Sequence, residues 1–192
     1  MMNFLRKNLI NFILAATIGI PFSIYGINHQ TGFTTIEPKI EPVTTQIVTE
    51  IEPEFEINTK VDCPENIQRI IWEVSTEYHI QFELMLALIE TESDFQTDII
   101  SDTNDYGLCQ INECRLESLK KQGITDIMDV RQNVTASCMI LSGLFEKYED
   151  ALCVLMAYNF GEAGAKKYWN NGIYESRYSI KIMNRKGELE HE

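Results

Sequence analysis

FELMLALIETESDF, residues 82–95, is an apolar segment that ends in three carboxylates, and its helical phase determines which of them faces the core. Residues on a helix are about 100° apart, so side chains three, four and seven positions apart share one face. The apolar face of this segment comprises Met85, Leu88 and Ile89. Glu92 continues that face, whereas Glu90 and Asp94 lie together on a mixed one. The phase therefore predicts a buried Glu92 and two surface charges.

A glutamate on the buried face of a helix has a raised pKa, because burial disfavours its charged form. A carboxyl group that keeps its proton near neutral pH can serve as a general acid. The alternative is a structural glutamate at a helix end, bonded to nearby backbone or to an arginine. The segment alone leaves both interpretations open for Glu92.

Helical periodicity begins at Val61 and continues in segments of about ten to twenty residues with short breaks between them. One of these, NECRLESLKKQG, has Asn112 as a plausible N-cap and Gly123 as its stop. No run alternates strictly enough to require a sheet, although YGLCQI is compatible with an extended segment. The predicted fold class is mainly α, with residues 61–192 forming one helical domain.

The first thirty residues have the composition of an export segment. Arg6 and Lys7 precede roughly twenty mostly apolar residues, and no acidic residue occurs in this range. The length fits a membrane anchor, while Pro21 and the small residues near it are compatible with a cleaved signal peptide. Both interpretations predict an extracytoplasmic domain, anchored in the first case and secreted in the second. The alternative to an export segment is a buried core helix.

Residues 31–60 have the composition of an extended linker. The triplet Ile-Glu-Pro occurs three times in this range, among threonines and acidic residues. Proline disfavours a helix, and the charges keep such a segment solvated. The alternative is a β-hairpin packed on the domain.

Charge and cysteine content exclude two classes of function. The formal net charge of −13 and the lack of a Lys/Arg cluster argue against nucleic-acid binding. The three histidines are scattered and form no ligand set with the five cysteines, so no metal site is expected.

Three further polar residues occupy positions typical of a site. Asn159 lies on the apolar face of its predicted helix, and Tyr158 points to the same interior edge. A buried asparagine must be hydrogen-bonded, either to the core or to a ligand. Gln110, in the segment GLCQIN, can bond a sugar or the backbone equally well.

Taken together and in order, these residues resemble the catalytic domain of soluble lytic transglycosylases, a lysozyme-like family that cleaves peptidoglycan. The resemblance covers about residues 64–184. Four motifs carry it: Glu92-Ser93 followed by Phe95, GLCQIN at 107–112, AYNFG at 157–161 and YSIKI at 178–182. Four motifs in the right order are far more specific than any one of them.

The resemblance implies a lysozyme-like α-helical fold with a groove for a glycan strand. Glu92 would protonate the β-1,4 glycosidic oxygen between N-acetylmuramic acid and N-acetylglucosamine. It would then act as a base on the muramyl C6 hydroxyl and so form a 1,6-anhydro end. Tyr158 and Tyr178 would lie near Glu92, Ser93 would lie beside it, and Gln110 and Asn159 would contact the sugars. No cofactor or metal is implied.

The sequence departs from the family pattern where Asn104-Asp105 replaces a frequent Gly-Ala. Asp105 would offer a second carboxylate that positions water and makes the enzyme a hydrolytic muramidase; Asp102 is the other candidate for this role. The alternative for both is a turn-forming loop residue.

The leading function is that of a membrane-tethered lytic transglycosylase that faces the cell wall. Two alternatives remain. One is hydrolysis on the same fold. The other is a non-catalytic glycan-binding domain whose partners are proteins of a cell-envelope assembly. A buried acid at Glu92 argues against the non-catalytic function, because binding alone does not require one.

Overall fold

The computed structural model describes residues 54–190. The predicted export segment and residues 31–53 of the predicted linker lie outside this range. The helices are α1 (Glu65–Glu77), α2 (Phe82–Ser93), α3 (Leu116–Lys120), α4 (Val130–Phe145), α5 (Ala151–Trp169) and α6 (Arg177–Glu190). A two-stranded antiparallel hairpin, β1 (Asp105–Tyr106) and β2 (Ile111–Asn112), leads into a 3-10 turn at Glu113–Arg115. The fold is mainly helical, as predicted.

Helix α2 is the centre of the core. All six consecutive residues from Leu84 to Ile89 are buried, with exposures of 0–3%. The helix contacts α1 and α6, so it is enclosed on more sides than the single apolar face that the phase analysis considered. Burying a large aliphatic side chain contributes about 1.5–3 kcal/mol, which makes this segment a major source of stability.

The described end of the predicted linker, residues 54–60, lies against the helical domain. It has no helix or strand, in keeping with an extended segment. The Phe55 ring lies 5.8 Å from that of Trp72 and 6.2 Å from that of Phe82. The Asn58 backbone N–H donates to Gln68 Oε1 at 2.9 Å. The compact helical unit begins at Glu54, so these residues are in contact with it and not fully solvated.

Helix α5 consists of two helical segments that meet at Gly161. This residue has φ 68° and ψ 156°, a conformation that a residue with a Cβ rarely adopts. In the sequence, the same glycine separates the apolar segment DALCVLMAYNF from GEAGAKKYWNNG, which glycines bracket. The kink ends the first segment next to Asn159 and Phe160, which are both exposed.

The turn of the hairpin is held by one buried asparagine, Asn133 of α4. Its Oδ1 accepts from the Cys109 backbone N–H at 2.8 Å, and its Nδ2 donates to the carbonyls of Tyr106 and Ile127, both at 2.8 Å. Gly107 makes this close approach possible, because a Cβ there would lie 2.6 Å from Asn133 Nδ2. Within residues 54–190, no helix has the length and apolar character needed to cross a membrane.

We predict that Asn133→Ala lowers the free energy of unfolding by about 3 kcal/mol. The substitution leaves one buried N–H and two carbonyls without their partner, and each such group costs about 1–3 kcal/mol before relaxation. Chemical denaturation followed by circular dichroism measures the change. Asn184→Ala, at an exposed position of α6, is the matched control and should change stability by less than about 0.5 kcal/mol. Equal effects of the two substitutions would contradict the assignment.

Candidate active site

A cavity opens between the end of α2, the hairpin, α4 and α5. The residues that line it are Glu92, Asp105, Gln110, Ile111, Asn112, Arg115, Ile140, Tyr158 and Asn159. It therefore brings together five of the residues singled out in the sequence: Glu92, Asp105, Gln110, Tyr158 and Asn159. They come from three separate parts of the chain, namely the end of α2, the hairpin and α5.

Glu92 is half-buried in the last turn of α2. Burial raises its pKa from 4.5 to about 7, and the charge of Asp105 acts in the same direction. The hydrogen bond from Tyr178 opposes the rise, as does the charge of Lys181. A carboxyl with a pKa near neutrality can both give and take a proton at physiological pH.

Tyr178, in the first turn of α6, is the direct partner of Glu92. Its hydroxyl donates to Glu92 Oε1 at 2.5 Å. Burial, with the neighbouring Glu92 charge, raises the pKa of Tyr178 well above its ordinary value, so the phenol remains a donor. The structure thus brings these two residues together although they are 86 positions apart.

An ion pair joins the two helices that carry Glu92 and Tyr178. Arg185 of α6 donates from Nε to Glu90 Oε2 at 2.6 Å and from Nη2 to Glu90 Oε1 at 3.0 Å. Both side chains are only 25% exposed. The prediction that Glu90 is a surface charge is wrong, because α6 covers that face of α2. Asp94 is exposed, as predicted.

Asp105 is a carboxylate held in its charged form by hydrogen bonds. Its Oδ2 accepts from Ser101 Oγ at 2.7 Å and from Thr103 Oγ1, and its Oδ1 accepts from Asn112 Nδ2 at 2.8 Å. Burial alone would raise its pKa, but the three donors outweigh that effect and the pKa is lowered. The cavity therefore holds two carboxyl groups whose pKa values are shifted in opposite directions.

Tyr158 and Gln110 shape the wall of the cavity through backbone contacts. The Tyr158 hydroxyl donates to the Cys109 carbonyl at 2.9 Å and lies 3.0 Å from Ser137 Oγ. Gln110 Nε2 donates to the Gly107 carbonyl at 2.9 Å. Both side chains thus brace the hairpin turn and also face the cavity.

Of the other predicted site residues, Asn159 differs from its predicted burial, and Ser93 and Asp102 lie outside the cavity lining. Asn159 is exposed on the cavity wall instead of buried, and it lies two residues before the Gly161 kink. Ser93 is buried and its hydroxyl donates to the Ile89 carbonyl at 3.3 Å, away from the cavity lining. Asp102 is exposed and does not line the cavity.

The sequence analysis missed Arg115 and Ile140, which also line the cavity. Arg115 is the third residue after the N-cap Asn112, whose side chain accepts from the Cys114 N–H. A basic residue so close to the GLCQIN motif could have been predicted to line the same cavity. Ile140 is on α4, and nothing in its local sequence distinguishes it from an ordinary core residue.

Within residues 54–190, no group of three or more His, Cys, Asp or Glu side chains is arranged to hold a metal ion. The cysteines in this range, at positions 63, 109, 114, 138 and 153, are free thiols.

Comparison with known proteins gives one family. The family model of the transglycosylase SLT domain matches residues 69–181. A transglycosylase of Enterobacteria phage PRD1 is 28% identical over 116 residues, with 58% of this chain and 41% of the phage protein covered. Invasion protein IagB of Salmonella typhimurium is 30% identical over 110 residues, with 49% of this chain and 69% of IagB covered.

A solved structure has the same fold. It is that of an inactive mutant of lytic transglycosylase Slt from Pseudomonas aeruginosa, with a TM-score of 0.52 and 13% sequence identity. The match covers 62% of this chain and 22% of that chain. The helical unit of this chain therefore has the fold of a domain that forms part of larger proteins.

We predict that Tyr178→Phe raises the pKa of Glu92 above about 7. The substitution removes the hydrogen bond that stabilises the carboxylate, while the burial that disfavours it remains. Carbon-detected NMR titration of glutamate carboxyl groups measures the change. Tyr174→Phe, at an exposed position before α6, should leave the titration unaltered. A lower Glu92 pKa in Tyr178→Phe would show that the tyrosine does not stabilise the charged form.

Proposed function

The chain belongs to the transglycosylase SLT domain family, and on that premise we propose that it is a lytic transglycosylase that cleaves the glycan strands of peptidoglycan. One observation carries the proposal. Glu92, in the family's motif, is a half-buried carboxyl in a polar cavity with a pKa of about 7. A binding site for neutral sugars has no need of such a group.

The reaction proceeds in two proton transfers through Glu92. In the first, the protonated carboxyl donates to the glycosidic oxygen that links N-acetylmuramic acid to N-acetylglucosamine, and the bond to the anomeric carbon breaks. In the second, the Glu92 carboxylate takes the proton of the muramyl C6 hydroxyl as its oxygen bonds to that carbon. The product is a 1,6-anhydro ring, Glu92 is protonated again, and no water is consumed.

The neighbours of Glu92 support both transfers. The Tyr178 hydroxyl donates to Glu92 Oε1 and stabilises the carboxylate that exists between them. Gln110 and Asn159 present amide groups to the cavity and are suited to sugar hydroxyl and N-acetyl groups. Tyr158 holds the hairpin turn that carries Gln110.

Hydrolysis by the same cavity is the second candidate, and Asp105 is the observation that favours it. Its carboxylate lines the cavity with Glu92, and its pKa is lowered while that of Glu92 is raised. One protonated and one charged carboxyl is the arrangement that glycoside hydrolases use. Asp102, which is exposed outside the cavity, has no such support.

We also propose that the enzyme works outside the cytoplasmic membrane, tethered by residues 1–30. The basic residues and the apolar run in that range support this location. Residues 31–53 would act as a linker that lets the domain reach the cell wall. Fractionation of cells that express the full chain, with and without residues 1–30, tests the proposal; an unchanged location would contradict it.

We predict that the full chain releases 1,6-anhydro-muramyl products from purified peptidoglycan. Glu92→Gln should lower the rate about 10²–10⁴-fold, as expected for loss of the proton-transferring group. The rate should fall as the pH rises through about 7, because the protonated form of Glu92 is then lost. Mass spectrometry of the digest identifies the ends. Glu83→Gln, at the start of α2, is the control.

Two results would contradict the proposal. Reducing ends one water heavier than the anhydro product would make the enzyme a hydrolase. Unchanged degradation by Glu92→Gln would remove Glu92 from the chemistry.

We predict that Asp105→Asn keeps the anhydro product and moves the alkaline fall in rate to lower pH. The charge of Asp105 raises the pKa of Glu92, so its removal lowers that pKa. Rate measurements across the pH range, with mass spectrometry of the products, test this. Asp102→Asn, on the same loop but outside the cavity, is the matched control. Two results together would favour hydrolysis. The unsubstituted chain would give reducing ends, and Asp105→Asn would give no product.

A further inference from the structure

Arg115 lies at the junction of the active-site cavity with a second cavity. The second cavity has a volume of about 290 Å³, compared with about 140 Å³ for the first. Arg115 and Ile140 line both cavities, so the two are neighbours across these side chains. A group attached to a sugar in the first cavity therefore has the second cavity within its reach.

Arg115 is a half-buried residue, and its guanidinium has no hydrogen-bond or ion-pair partner among residues 54–190. Arg185 shows the usual arrangement in this protein, because its guanidinium donates to Glu90, Glu188 and the Lys60 carbonyl. A guanidinium with several N–H donors and no acceptor within the described residues is matched to an anion from outside the protein.

The remaining charges of the second cavity leave it positive. Glu162 is its one carboxylate among the described residues, and Lys147 Nζ binds Glu162 Oε1 at 2.6 Å. The Tyr148 hydroxyl also donates to Glu162, at 3.0 Å. Because Lys147 offsets the charge of Glu162, the cavity carries the net charge of Arg115, in a chain whose formal net charge is −13. A positive cavity in so acidic a protein favours an anionic ligand.

The rest of the lining fits a peptide better than a further sugar. Leu119, Met139 and Leu144 contribute apolar surface, and Gln122 and Ser118 contribute polar groups. An apolar lining with a few polar groups is typical of ligand pockets, and it suits the alkyl and amide groups of a short peptide.

We propose that Arg115 binds a carboxylate of the stem peptide, the short acidic peptide attached to muramic acid in peptidoglycan, in the second cavity. The identity of the ligand rests on the proposed function. The sugars at the cleaved bond bear no charge of their own, whereas the stem peptide is attached to one of them and carries free carboxylates. Arg115 would form charge-assisted hydrogen bonds to one of these and make the enzyme selective for strands that retain their stems.

The test measures binding and not turnover. The protein is the full chain with Glu92→Gln, which prevents cleavage. The probes are a disaccharide-tetrapeptide muropeptide and the same compound with its carboxylates converted to amides. We expect calorimetry to give a Kd about tenfold lower for the acid than for the amide, as expected for one charge-assisted hydrogen bond.

Adding Arg115→Gln should abolish the preference, and Arg115→Lys should keep part of it. Lys121→Gln is the matched control, because Lys121 lies at the end of α3, is 73% exposed and lines neither cavity. It should keep the tenfold preference, and circular dichroism checks that each variant is folded.

Equal binding of acid and amide, binding of neither, or a preference that survives Arg115→Gln would overturn the proposal. Peptidoglycan digestion by the chain with Glu92 intact tests the proposed function separately. A preference for the acid without any digestion would leave the anion site standing and reject the enzymatic function.

Discussion

The burial of helix α2 is the constraint on which the rest of the structure depends. Six consecutive side chains, Leu84 to Ile89, are removed from water. Such a helix needs neighbours around it, and α1 and α6 supply them. Its last turn emerges at the edge of the core, where Asp94 and Phe95 adopt φ values of 51° and 61° that end the helix. Glu92 is therefore held at a boundary between core and cavity, where a carboxyl is desolvated and still accessible.

The same boundary creates the electrostatic asymmetry of the cavity. Glu92 has one strong donor, Tyr178, and burial dominates its pKa. Asp105 has three donors on the hairpin, and they dominate over burial. Two carboxyl groups in one cavity thus acquire different protonation states from differences in hydrogen bonding and solvation, without any metal ion being needed to explain the difference.

Helical phase selected Glu92 correctly as the carboxyl with a raised pKa, but its treatment of the neighbours was incomplete. It assumed one buried face, whereas α2 is enclosed broadly enough that Glu90 is also half-buried and paired with Arg185. It placed Asn159 in the core, whereas this asparagine is exposed on the cavity wall, near the end of the first segment of α5. Both errors arose where the helix has surroundings or an ending that its own periodicity does not encode.

The sequence by itself determined the helical elements, the cap at Asn112, the break at Gly161 and the four motifs that indicate the family. These features depend on residues close together in the chain, so local periodicity and turn chemistry are sufficient to predict them. Only the tertiary structure decided that Tyr178 meets Glu92, that Asn133 holds the hairpin and that Arg115 lies between two cavities. Those contacts join helices and turns far apart in sequence, and they depend on how the helices pack, which no local pattern specifies.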